Sequence, residues 1–421
     1  MKPKLSPAIL ALLLMSTGCA SGISGFSKGD SMSRAANSPS GMAISCSDGS
    51  STLDNEFEGS GMRGCEVLGD SHYRVLVRSE DANVTNCSAW YAFRLNSPVE
   101  QNVLVELDYE QCGHRYHPKV MRAEDGRPGG ADWASIPADE VKLTKNGEIL
   151  QARFNVPVGP ASTIVAGQEL LLADDNRTWL DQLERKSTLE RSLLGRSLEG
   201  APIEKIVFGN GADAQREELV VLGRQHPPEV TGALALMAFT ERLLEDDPLA
   251  IRFRSRFTTT VIPMLNPDGV ARGHWRHSSG QRDLNRDWGP FTQPETRLVR
   301  DLLREIGTDP QRTLRFFVDF HSTREDVLYT LDKSFRTDPP DFMAGWLSDY
   351  ARRLPGYTVN EEPAHNADSP VAKNWVYEAF GVPTITYEIG DETDRAYIRT
   401  LGRAAAEATM SQLLGTDVPA S

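Results

Sequence analysis

Apolar and polar positions along the chain follow two successive rhythms. From residue 45 to 166 they alternate in short runs, "HYRVLVRS", "SAWYAFRL", "NVLVELDY", "EILQARFNV" and "STIVAGQEL", separated by Gly, Pro, Asn and Asp. A period of two in runs this short predicts strands with one buried face, and the set predicts a small antiparallel β-sandwich over residues 45–168. From residue 169 onward longer segments take over. "TWLDQLERKSTLERSLL" carries a helical period, as do Pro294–Glu305 and Ala404–Leu414. "IEKIVFG", "EELVVLG", "TTTVIPML", "LRFFVDF" and "VPTITYEI" are apolar almost throughout, as strands buried on both faces should be. This alternation predicts an α/β domain over residues 169–416 with a largely parallel sheet. No internal repeat is present.

The first 44 residues fit neither rhythm. "MKPKLSPAILALLLMSTGCA" places two lysines before an apolar run, Ala8–Met15, that is too short to cross a bilayer. This predicts a signal peptide over residues 1–18 and an exported, periplasmic or outer-membrane protein of a bacterium. The small residues running into Cys19 resemble a lipobox, with Ser16 where leucine is usual, and imply a lipid anchor at Cys19. Ordinary cleavage to a soluble protein is the alternative. Residues 19–44 are rich in Gly and Ser and predict a flexible tether.

Cysteine usage agrees with export. Besides Cys19 the chain has Cys46, Cys65, Cys87 and Cys112, all inside the predicted sandwich. An even count predicts two disulfides in any of three pairings, and no CxxC spacing favours a cysteine-held metal. The net charge of −14 argues against a nucleic-acid partner. With 25% charged and 39% hydrophobic residues the composition is that of a soluble globular protein.

Candidate chemistry lies at the ends of the second set of strands. In "VVLGRQHPPEVTGALAL" His226 and Glu229 stand three apart with Pro227 and Pro228 between them, just before a helix predicted from Glu229 to Asp246. Proline is tolerated in a helix's first turn and pushes its predecessor out of helical conformation, so the pair is held on stiff backbone beyond a strand's carboxyl end. "LRFFVDFHST" delivers His321 and "VPTITYEIGD" delivers Glu388 to the same edge, where open α/β sheets build their sites. Two histidines and a glutamate form the donor set of a catalytic zinc site. Taken singly, His321 could be a strand-end histidine and Glu388 a surface carboxylate.

Between the histidines lies "NPDGVARGHWRHSSGQRDLNRDW", residues 266–288. The ordered set HxxE, NPDG, an arginine, NR, a second histidine and a strand-end glutamate resembles the zinc carboxypeptidases of the M14 type. The resemblance covers residues 170–415, with "GRSLEGAPI" as a lead-in. It implies a mixed, largely parallel sheet flanked by helices and one Zn²⁺ per chain, held by His226, Glu229 and His321. It further implies Glu388 as general acid/base, Arg276 polarising the scissile carbonyl, Asn285 and Arg286 holding a peptide's terminal carboxylate, and Asp283 orienting His226. His274 and His277 are expected to be surface-loop histidines.

Two departures qualify the resemblance. Pro228 stands where the digestive members carry arginine, which resembles the cytosolic-carboxypeptidase branch with its leading β-sandwich. The loop tyrosine of the family has no clear match: Tyr377 is nearest, on the helix expected at "VAKNWVYEAFG", and residues 359–370 form the loop that would cover the pocket. Lys373 stands where members of the family set the character of the terminal side-chain pocket, implying an acidic side chain or second carboxylate, or else is a solvated helix residue. Expected is an exported zinc carboxypeptidase acting on a C-terminal peptide or isopeptide bond. The rivals are a zinc amidase or deacylase of small N-acyl amino acids and an inactive binding lipoprotein.

Overall fold

A computed structural model describes residues 43–81, 87–110, 112–123, 133–147, 149–209 and 216–415. The expected signal peptide, Cys19 and the tether up to residue 42 lie outside the described residues. Among those described, no helix is long and apolar enough to cross a membrane.

Eleven strands come first: β1 (Ser45–Ser47), β2 (Thr52–Asp54), β3 (Gly64–Gly69), β4 (His72–Leu76), β5 (Ala92–Asn96), β6 (Gln101–Asp108), β7 (Lys119–Ala123), β8 (Ala134–Ser135), β9 (Lys142–Asn146), β10 (Ile149–Val158) and β11 (Ser162–Ala166). They form a sheet of order β1-β2-β5-β11-β7-β8 and another of order β3-β4-β6-β10-β9. Inward positions such as Val103, Val105 and Leu107 are fully buried, as the period of two requires. Pairing is antiparallel except that β4 runs parallel to β6, a departure from the expected all-antiparallel sandwich. The chain between β4 and β6 first crosses to the other sheet as β5, so it returns to β4's partner in β4's own direction.

The described cysteines pair as Cys46–Cys65 and Cys87–Cys112, across 19 and 25 residues. The first ties β1 of one sheet to β3 of the other. Loops of this length lower the entropy of the unfolded chain by about 3 kcal/mol per bridge. Reducing both bridges is therefore expected to lower the sandwich's thermal midpoint by about 10 °C or more, measured by calorimetry with and without a thiol reductant.

The α/β part contains α1 (Ala173–Lys186), β12 (Glu190–Arg196), β13 (Pro202–Phe208), β14 (Arg216–Gly223), α2 (Val230–Leu243), α3 (Pro248–Arg256), β15 (Phe257–Ile262), α4 (Pro267–Ala271), α5 (Pro294–Thr308), β16 (Arg312–Thr323), β17 (Val327–Thr330), α6 (Phe342–Arg352), β18 (Glu361–Pro363), α7 (Ala372–Phe380), β19 (Thr384–Gly390) and α8 (Arg395–Leu414). Its strands form one mixed sheet, β12-β13-β15-β14-β16-β19-β17-β18. The four central strands, β15, β14, β16 and β19, are parallel, while β12, β13 and β17 run against their inner neighbours. This agrees with the mixed α/β sheet expected from the sequence.

The continuous apolar strands are explained by two cores. Leu219 and Val221 of β14 face a core with α2, α6 and α8, whereas Val220 and Leu222 face a second core with α5 and α7. One expected helix fails in part. "TWLDQLERKSTLERSLL" is helical only to Lys186, and its second half is β12. Antiparallel pairing with β13 satisfies that segment's backbone, which outweighs a local helical period.

Candidate active site

Four central elements bring the predicted ligands together. β14 ends at Gly223, and Arg224 then adopts a positive φ of 52° with its Nη2 donating to Pro227 O at 2.6 Å. This tight turn carries His226 outward, and the two prolines lead into α2. Glu229 is the residue that caps α2 rather than a member of its first turn, since ψ 65° keeps it outside the helix. At Gly232 the helix rides directly on β16: a Cβ there would lie 2.3 Å from His321 O. Only glycine permits that approach, and it sets the distance between Glu229 and His321.

His226, Glu229 and His321 are all buried, and their candidate donor atoms lie within 4.8 Å of one another. The Nδ1 atoms of His226 and His321 each lie 2.7 Å from one oxygen of Glu229. Their Nε2 atoms are held from outside, His226 by Asp283 Oδ1 at 3.0 Å and His321 by Asp319 Oδ2 at 2.8 Å. A carboxylate behind each imidazole fixes the ring and makes the inward nitrogen the better donor. The donor set and its outer carboxylates suit a zinc ion.

Glu388 is paired with His321 across the parallel strands β19 and β16, so the two side chains leave the sheet together. The residue is half-buried, lines the same pocket, and its Oε2 is enclosed with no hydrogen-bond partner. Burial, and then the nearby Glu229 carboxylate, push its pKa up to about 7 against the pull of the histidines.

The remaining predicted residues converge on this pocket of about 320 Å³, which is lined by Arg276, Asn285, Arg286 and Lys373 as well. Arg276 Nε donates to Asp283 Oδ2 at 2.7 Å, so Asp283 spans the arginine and His226. Burial alone would lower the Arg276 pKa, but Asp283, Glu229 and Glu388 hold it above the usual arginine value. Asn285 Oδ1 accepts from Ala372 N at 2.9 Å, which ties the start of α7 to the pocket. Lys373 is not a solvated helix residue. It is 1% exposed, its Nζ donates to Asn374 Oδ1 at 3.0 Å, and desolvation brings its pKa down to about 8.

The profile of the family described as "Zinc carboxypeptidase" matches residues 177–408. The chain belongs to that family. Among its relatives, mouse cytosolic carboxypeptidase 6 is 23% identical over 315 residues, covering 68% of this chain and 55% of that protein. The Caenorhabditis elegans cytosolic carboxypeptidase 6 is 29% identical over 289 residues, 65% of this chain and 62% of that one. The chain thus spans between half and two thirds of the length of these two relatives. A metallo-carboxypeptidase from Burkholderia cenocepacia shares the fold with a TM-score of 0.71 at 19% identity, over 87% of this chain and 99% of that one.

In this member of the zinc carboxypeptidase family, several residues in or behind the pocket were not anticipated from the sequence. Asp319 is two positions before His321 on β16 and therefore on its face, so "DFH" on a strand was a usable signal. Tyr329 on β17, stacked on His365 with ring centroids 3.8 Å apart, lines the pocket, whereas Tyr377 stacks on Phe335 and does not. His365 and Asn366 belong to the expected covering loop. Arg115 also lines the pocket and comes from the sandwich, holding Asp391 through Nε at 2.6 Å and Nη2 at 3.0 Å. His277, expected on a surface loop, is 7% exposed, with Nδ1 2.7 Å from Asp81 Oδ2. Burial against the sandwich, not solvent, surrounds it.

Proposed function

We propose that the protein is an exported zinc-dependent carboxypeptidase that hydrolyses the last peptide or isopeptide bond of a peptide with a free terminal carboxylate. The observation that carries this reading is the buried His226-Glu229-His321 donor set at a pocket lined by His226, Glu229, the half-buried Glu388 and three arginines, Arg115, Arg276 and Arg286. His226, Glu229 and His321 would hold the zinc ion, with Asp283 and Asp319 orienting the two rings. When bound, zinc acts as a Lewis acid that polarises a carbonyl and acidifies water. Glu388 takes a proton from the attacking water and passes it to the leaving nitrogen. Arg276, kept cationic by Asp283, meets the negative charge that develops on the carbonyl oxygen. Arg286, with Asn285, clamps the substrate's terminal carboxylate, which a planar guanidinium can do through two parallel bonds.

Export rests on the N-terminal segment and on the paired cysteines, with Cys19 as the candidate lipid-bearing residue. The direct test of the reading is metal analysis of purified protein, then release of free amino acid from a peptide mixture with and without chelator. Stoichiometric zinc with chelator-sensitive release is the expected result. Zinc without release would instead mark a binding protein.

Lys373 gives the site its terminal preference. A buried ammonium whose one polar partner among the described residues is an amide oxygen gains most from an acidic side chain or second carboxylate on the substrate's last residue. Lys373→Glu is expected to lower kcat/KM for peptides ending in Glu by about 100-fold relative to those ending in Lys. Unchanged relative rates on the two peptides would remove Lys373 from the specificity pocket.

A further inference from the structure

The segment that carries Arg276, between α4 and the Leu284–Arg286 turn, has no strand or helix of its own to fix it. It is fixed from the sandwich. Gly59 N donates to Ala271 O at 2.8 Å, and Gly273, at φ 61°, lies so close to Ser60 that a Cβ would sit 2.0 Å from its carbonyl oxygen. Two residues further on, one carboxylate takes the whole turn. Glu80 Oε2 accepts from Trp275 N at 3.0 Å, and Oε1 accepts from Arg276 N at 2.9 Å and His277 N at 2.6 Å. Asp81, the next residue, reaches His277 Nδ1. Trp275 is 6% exposed and packs in the sandwich's own core.

Three consecutive N–H groups pointing at one carboxylate fix the φ and ψ of the turn, and the charge on the acceptor makes each bond stronger than a neutral one. The turn's direction in turn sets where the Arg276 side chain leaves the backbone. Only then can its Nε meet Asp283 and its remaining N–H groups face the pocket. An oxyanion-stabilising donor misplaced by an ångström loses most of its effect.

We propose that Glu80 is a positioning residue for Arg276: the β-sandwich supplies the carboxylate that aims the arginine of the neighbouring α/β active site. This rests on the role given to Arg276 above. The sandwich is therefore part of the catalytic apparatus and not an independent appendage.

The test is a double-mutant cycle on the full chain with Glu80→Ala, Glu80→Gln, Arg276→Met and Glu80→Ala/Arg276→Met, read as kcat and KM on one peptide. Amide hydrogen exchange of Trp275, Arg276 and His277 is read alongside. Expected for Glu80→Ala is a kcat lowered by about 10- to 100-fold with KM changed less than about threefold, and partial recovery in Glu80→Gln, which keeps one acceptor oxygen. In the Arg276→Met background the further loss should shrink to about twofold or less. Exchange at the three amides should rise at least tenfold in Glu80→Ala while β16 and β19 stay protected. An equal loss in both backgrounds, or exchange unchanged at the three amides, overturns the proposal. If the wild-type chain releases no amino acid, the peptidase reading fails instead, and the exchange measurement still decides whether Glu80 holds the turn.

Discussion

Glu388→Gln is expected to reduce release of the terminal amino acid by about 10³-fold while zinc remains at one per chain. The substitution keeps the shape of the side chain and removes its capacity to take a proton. Zinc retention follows because Glu388 is not among the three clustered donors, and its Oε2 is enclosed away from any partner. Burial, and then Glu229, push its carboxyl pKa up to about 7 against the pull of the histidines. A dication held by the adjacent His-Glu-His group would favour the ionised form, so that the proposed base would be ready at neutral pH in the loaded protein. Metal content by elemental analysis and turnover on the same preparation check both halves. Activity within tenfold of wild type would show that another group moves the proton.

Much of this site could be read from the sequence because its residues are tied to breaks in local pattern. HPPE interrupts an otherwise simple strand-to-helix step, and the strands bearing His321 and Glu388 are apolar up to those residues. Register then does the rest: β16 and β19 are adjacent and in step, so His321 and Glu388 emerge side by side. What stayed hidden arrives from distant chain. Tyr329 sits on a four-residue strand too short to announce itself, and it faces the pocket only because β17 pairs with β19. Arg115 and Glu80 come from the sandwich, and no local periodicity tells which loop tips of one layered unit touch another. Lys373 illustrates the same limit. A lysine at the start of a short helix reads as solvated until Asn285 is seen to hold the helix N-terminus against the pocket. The half-helical, half-strand segment before β13 failed for a related reason, since its second half acquires its conformation from a partner strand.

His321→Ala separates the two functions of the metal cluster, and its effect on stability should be as large as its effect on turnover. Each imidazole lies between two carboxylates, His321 between Glu229 at 2.7 Å and Asp319 at 2.8 Å. Removing zinc with a chelator is therefore expected to abolish turnover while leaving these buried carboxylates partnered, so that the fold would lose only the linkage contribution of the bound ion. Removing the ring does more. Asp319 is 0% exposed and its Oδ1 already lacks a partner, so it would keep only Gln225 Nε2, while Glu229 would keep only His226. Breaking a buried charged pair by deleting one member typically destabilises by about 3–5 kcal/mol, because the other member stays desolvated. The strand also loses a side chain near its carboxyl end, beneath α2. The expected order of thermal midpoints is zinc-loaded wild type, then chelated wild type, then His321→Ala, with the second and third both inactive. If His321→Ala melts at the temperature of the chelated wild type, the outer carboxylates are not held by the imidazoles, and the ring serves the metal alone.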